Sequence, residues 1–182
     1  ARSRAQVEPL IPPKSCFLLV TSRYHFILPG IKACDLDALS LESAMVLLLK
    51  IEPRLLDAAP ALAERCERLP LALRLSASAL AEQPTLPVAE FVQQFEQVQT
   101  RLQLTGMDAS LQVSYDLLAP DLQTRLRLLS VFPAPFRRPA AAAVWEVDEA
   151  AAQPALTSLF NASLLEYDEA SGFRLHDLVR DF

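Results

Sequence analysis

The spacing of apolar residues changes several times along the chain, and each change predicts a different element. Near the start, SCFLLVTSR at 15–23 holds a continuous apolar run, Phe17 to Val20, with no helical period. Such a run reads as a buried strand that ends at Thr21 and Ser22, with Arg23 on its carboxyl edge. Pro29-Gly30 signals a turn, and Ile31 to Leu36 is a second short extended segment. Two short neighbouring strands do not make a stable sheet by themselves. Residues 1–39 are therefore expected to be the end of a larger α/β domain.

From Leu39 the period becomes helical. Ser40 is a candidate N-cap ahead of an apolar run that reaches Leu49. Leu62, Cys66, Leu69, Leu73 and Leu80 recur at helical steps, interrupted at Pro70, which suits the first turn of a new helix. Two helices are expected to meet at the turn before Pro70. Pro84 and Pro87 mark a loop, and Val88 to Val98 carries Phe91 and Phe95 four residues apart. Residues 40–104 are expected to form a small helical bundle.

Asp108 is a candidate N-cap for a helix through Leu118, Pro120-Asp121 opens another to Val131, and Pro139 begins an alanine-rich one to Trp145. A further helix runs from Asp148 to Asn161, kinked or begun anew at Pro154. Leu164–Tyr167 and Phe173–Leu175 then read as two short strands around a turn at Asp168–Gly172, and a last helix starts near His176. Helices closed by a hairpin follow the order of a winged helix, expected over residues 105–182. The expected fold class is mainly α: an α/β remnant, a helical bundle and a winged-helix domain.

Composition narrows the chemistry. Over 182 residues, 52% are hydrophobic and 21% charged, which suits a folded core. A net charge of −5 and only three lysines give no global reason to expect nucleic acid or an anionic membrane. Cys16, Cys34 and Cys66 match no disulfide or metal spacing and read as reduced. No apolar run approaches the ~20 residues of a membrane span, and the expected location is cytoplasmic. The three glycines, Gly30, Gly106 and Gly172, lie too far apart to build a phosphate-cradling loop or a dinucleotide-binding turn. The chain by itself is not expected to hydrolyse nucleotide.

Three residues carry candidate chemistry, each with a plainer alternative. His176, beside Asp177, could hold one ring nitrogen in a local hydrogen bond and offer the other to an anion; equally, it could sit at a strand-to-helix junction with Asp177 as the cap. Arg23 could reach a terminal phosphate with its fork, or mark the return to solvent. Pro70 could be a rigid apolar wall for a planar ring, or a helix-start proline. Ser114-Tyr115-Asp116 has no base beside it in the sequence, and no metal-ligand spacing occurs. The helix at 148–161 has no lysine or arginine and the hairpin carries Glu166, Asp168 and Glu169, with Arg174 the one cation able to approach a phosphate. That argues for a protein-packing winged helix and against direct DNA contact.

Four stretches, in order, resemble the second half of the NB-ARC module of STAND-class P-loop ATPases: CFLLVTSR at 16–23, CERLPLAL at 66–73, ASLQVSYDLLAPDLQTRLRLLSVFP at 109–133 and FRLHDLVRDF at 173–182. The resemblance implies a signalling switch in which ADP lies between a P-loop domain, a helical bundle and a winged helix. It implies that Arg23 reads the γ-phosphate, Pro70 with Leu69 beside it lines the adenine, His176 contacts the β-phosphate, and Asp177 supports the local turn. Exchange of ADP for ATP would release the winged helix and permit self-association. Arg68 stands where the family has glycine, and Leu175 where it has methionine. Walker A and Walker B, which would supply the phosphate cradle and Mg2+, are not in the chain. An upstream P-loop subdomain, and repeat or effector domains elsewhere in the parent protein, are the implied partners. Any hydrolysis would be a slow regulatory step of the whole protein. The competing readings are a winged-helix transcription regulator and a nucleotide-free interaction scaffold.

Overall fold

A computed structural model describes residues 3–13, 16–22, 28–30, 32, 34 and 36–182. The chain divides into two compact units, residues 1–37 and 38–182. The first holds a one-turn helix, α1 (Arg4–Val7), continued by a 3-10 turn at Glu8–Leu10. The buried strand expected at Phe17–Val20 does not form: these residues have no regular structure, and Phe17 and Leu19 are 87% and 76% exposed. An apolar run becomes a buried strand only when a neighbour completes its hydrogen-bond ladder, and none of the described residues of this unit is in a strand. Of the second expected segment, Lys32, Cys34 and Leu36 are likewise not in a strand, while Ile31, Ala33 and Asp35 lie outside the described residues.

The second unit is mainly helical. Its first part comprises α2 (Leu41–Ile51), α3 (Ala59–Arg65), α4 (Pro70–Ala81), α5 (Val88–Leu102) and α6 (Gly106–Asp116). Ser40 caps α2 by accepting the Ser43 N–H at 3.1 Å. Helix α4 is central, with Ala72, Leu73, Leu75, Ala77 and Leu80 all buried, and it packs between α2 and α6. Phe91 and Phe95 bury one face of α5, leaving glutamines and glutamates on the other. Arg54, after α2, pairs with the buried Glu52 and donates to the carbonyls of Leu80, Pro84 and Leu86. This pins the α4–α5 loop to the end of α2.

Helix α6 starts earlier than expected. Thr105, not Asp108, is its N-cap: the Thr105 hydroxyl accepts the Asp108 N–H and donates to the Asp108 carboxylate at 2.8 Å. Gly106 permits this start because a side chain there would overlap the Arg65 carbonyl oxygen and lie 2.9 Å from the Cys66 carbonyl carbon. Along the α4–α6 seam, Ser76 donates to Ser110 at 3.1 Å, Ser110 to the Gly106 carbonyl at 2.6 Å and Ser114 to the Ser110 carbonyl at 2.7 Å. Cys66 lies against Ser76 and Ser110, and burial pushes its thiol pKa up.

The remainder is α7 (Pro120–Leu129), α8 (Arg138–Val144), α9 (Glu149–Asn161), a hairpin of β1 (Glu166–Asp168) and β2 (Gly172–Arg174), and α10 (Asp177–Asp181). A single bridge joins Phe136 to Phe173, so the order helix, strand, helix, helix, hairpin is that of a winged helix. Asp148 caps α9 through the Ala151 N–H, and Pro154 sits inside a continuous helix. Strand β1 starts later than expected because Leu164 and Leu165 are buried in the turn after α9. Gly172 has φ of +94°, and a side chain on it would overlap the Phe136 carbonyl oxygen. No helix among the described residues is long and apolar enough to cross a membrane.

Candidate functional site

The turn between α3 and α4 positions the Leu69-Pro70 pair. Glu67 and Arg68 both take left-handed backbone angles, φ of 54° and 55°, reversing the chain at the end of α3. Leu69 is the extended N-cap of α4, the conformation that a following proline imposes, and Pro70 is the first helical residue, with its ring exposed. The turn is held from two sides. The Glu67 carboxylate accepts the Gly106 N–H at 2.8 Å, and the Arg68 carbonyl accepts the Leu39 N–H at 3.1 Å. Arg68 thus occupies a backbone position that favours glycine, and arginine satisfies it with strain. The Arg68 Nε is buried without a hydrogen bond, with the Glu64 carboxylate 3.8 Å away.

His176 is itself the N-cap of α10, with φ of −62° and ψ of 143°. Its Nδ1 accepts the Leu178 N–H at 3.2 Å. An Nδ1 that accepts carries no proton, so the neutral ring holds its proton on Nε2, a donor with no partner among the described residues. The plainer reading of the sequence gave the cap to Asp177; instead Asp177 lies exposed in the first turn, its carboxylate 3.1 Å from Arg180. Buried Leu175 and Val179 flank the histidine and fix the junction, and Phe182 meets Tyr115 edge-on with ring centroids 5.9 Å apart.

Arg23 lies outside the described residues. Leu69-Pro70 and His176-Asp177 stand on different elements, and neither pair lines the cavity nearest to both. That cavity, a groove of about 490 Å³, runs between α4 and the hairpin, with Arg74 on one wall and Glu166, Tyr167 and Arg174 on the other. Arg74 follows Pro70 by four residues on one helical face, and Arg174 precedes His176 by two, so the groove lies near both predicted positions without including either. The Glu166 carboxylate pairs with Arg174, and the Ser171 backbone N–H, then its hydroxyl, hold the Asp168 carboxyl below its usual range. Among the described residues, no cluster of histidine, cysteine and carboxylate side chains could hold a metal ion.

No family profile matches the chain. Over nearly its whole length it is similar to a protein named Regulatory protein AfsR. The AfsR of Streptomyces coelicolor is 35% identical over 193 residues, covering 99% of this chain and 19% of that protein. The AfsR of Streptomyces griseus is 34% identical over 197 residues, covering 99% of this chain and 20% of that protein. The chain thus spans about a fifth of the length of these relatives.

Reading the sequence did not single out Arg74 or Glu67, and it weighed Gly106 only as a region opener and as a glycine too isolated to cradle phosphate. For Arg74 a signal existed, its four-residue step from Pro70. Glu67 and Gly106 meet only through a contact across 39 residues, which no local pattern announces.

Proposed function

We propose that this chain is the later portion of a nucleotide-dependent regulatory switch of the NB-ARC type, within a protein several times its length. In its resting state the bundle and the winged helix close on ADP; on exchange for ATP the contact through His176 is lost and the parent protein self-associates. The observation that carries this reading is the His176 cap, whose Nδ1 bond to the Leu178 N–H leaves Nε2–H as a fixed donor. It stands where the NB-ARC resemblance calls for a phosphate contact.

The described residues fit a nucleotide of this kind. ADP supplies a planar base and a compact anion. The exposed Pro70 ring offers an apolar wall without a donor, and Leu69 behind it is half buried and holds the turn. The His176 Nε2–H can donate to a phosphate oxygen, and a hydrogen bond to a charged acceptor is worth about 1.5–3 kcal/mol. Asp177 and Arg180 hold the α10 turn that orients the ring. Arg23 is proposed as the γ-phosphate reader. The phosphate cradle and the Mg2+ ligands would come from an upstream P-loop subdomain, because this chain has no glycine-rich loop to provide them.

The likeness to proteins named as regulatory supports a regulatory role. A DNA-reading winged helix would need cations on α9, and α9 has none. The test is to purify the whole parent protein under native conditions, denature it and separate any released nucleotide by chromatography. About one ADP per chain supports the switch. No released nucleotide, with none taken up from excess ADP or ATP, overturns it.

A further inference from the structure

The outer face of the hairpin carries a second kind of surface. A chain of aromatic rings runs out from beneath it: Phe132 stacks on Phe136 with centroids 4.5 Å apart, Phe136 faces Phe173 at 6.2 Å, and Phe173 meets Tyr167 at 4.9 Å. Tyr167 ends this series 54% exposed, beside Phe160 on α9, which is 45% exposed. These two rings form a ridge shared by the 490 Å³ groove and a neighbouring groove of about 460 Å³.

Each groove holds an arginine without a carboxylate in direct contact among the described residues. In the first, Arg174 is matched by Glu166, but no hydrogen bond or ion pair links Arg74 to another described residue. In the second, Arg138 is matched by Glu149 at 3.1 Å, while Arg137 donates to the uncharged Ala170 carbonyl at 2.7 Å. In a chain of net charge −5, an aromatic ridge is thus flanked on both sides by available cations. The ridge is backed by packed rings, so little side-chain freedom is lost when it is covered.

We propose that this face docks an acidic peptide segment in which carboxylates flank a large apolar side chain. The apolar side chain covers Phe160 and Tyr167, and the carboxylates reach Arg74 on one side and Arg137 on the other with paired hydrogen bonds. The choice of peptide over nucleic acid rests on Glu149, Glu166 and Asp168, which border the same grooves and interrupt the arginines, so that no continuous positive track matches a phosphate backbone. A peptide can place its carboxylates where the arginines are. The docking needs no nucleotide and stands apart from the switch.

The test uses the 182-residue chain as bait for a random dodecapeptide phage library. The expected selection is of peptides with aspartate or glutamate on both sides of Phe, Leu or Trp. A synthetic copy of a recovered peptide should bind Arg74→Glu and Tyr167→Ser at least tenfold more weakly than the wild type. Arg101→Glu, the same charge change on α5, should bind unchanged, and the melting temperatures should match the wild type. Absence of enrichment, enrichment of peptides without acidic residues, equal weakening by Arg101→Glu, or preferential binding of a short DNA duplex would each overturn the proposal.

Discussion

The α4–α6 seam and the hairpin face both carry polar side chains, and they use them in opposite ways. In the seam, Ser76, Ser110 and Ser114 are buried and every hydroxyl has a partner within the two helices. Small residues at four-residue steps, Gly106, Ser110 and Ser114, let α6 approach α4 and the Arg65–Cys66 backbone closely. On the hairpin face, Arg74 and the Tyr167 ring are left with unused capacity to bind. Closed polar networks set the register of packed helices, whereas open ones are where binding energy is still available. His176 combines the two, with one nitrogen closed in a cap and the other open.

Substitution should separate these regions sharply. The largest effect is expected from Gly106→Ala, where the new methyl group meets backbone that cannot move aside. A loss of about 3 kcal/mol or more, read as a fall of roughly 10 °C in melting temperature, is expected. A melting temperature within a degree or two of the wild type would show that α6 does not pack as described.

Glu52 tests a closed network that carries a full charge. Its carboxyl is held below the usual range, chiefly by the Arg54 side-chain hydrogen bond, against the opposing effect of burial. A lowered folded pKa adds stability that is complete above the unfolded value of about 4.3 and is lost as pH falls through the folded value. Glu52→Gln should therefore cost roughly 1–2 kcal/mol at pH 7, discounted for the partly exposed guanidinium. In urea titrations the gap to the wild type should stay constant from pH 6 to 8 and narrow below about pH 4. A gap that widens in acid would contradict the pairing.

Arg68→Gly should have the opposite sign. Glycine accepts the left-handed backbone without strain, so a gain of about 0.5–1 kcal/mol is expected in chemical denaturation. A loss instead would mean that the arginine side chain supports the turn. The smallest effect is expected on the open face, where Arg74→Ala should change stability by less than about 0.5 kcal/mol.

Much of the helical part was legible locally. Ser40, Pro70 and Asp148 marked helix starts because capping and proline geometry act within one turn. The winged-helix order could be read because each change of period maps to one element. Thr105 was overlooked because a following glycine usually signals a break, and here the close approach of α6 to Arg65 reverses that rule. The strand expected at Phe17–Val20 failed because pairing is a property of neighbours, not of the run itself. At the candidate site, the sequence suggested a held His176 nitrogen but left open which residue caps the helix, and that depended on backbone angles at the junction. The groove beside Arg74 was illegible, since it exists only where α4 and the hairpin come together.

The central claim, that His176 helps retain ADP, is most directly tested by the rate at which labelled ADP leaves the whole parent protein. Removal of a donor to phosphate in His176→Ala should speed release by about ten- to a hundredfold, as expected for a charge-assisted hydrogen bond. Release at the wild-type rate, from a variant with unchanged melting temperature, would contradict the account.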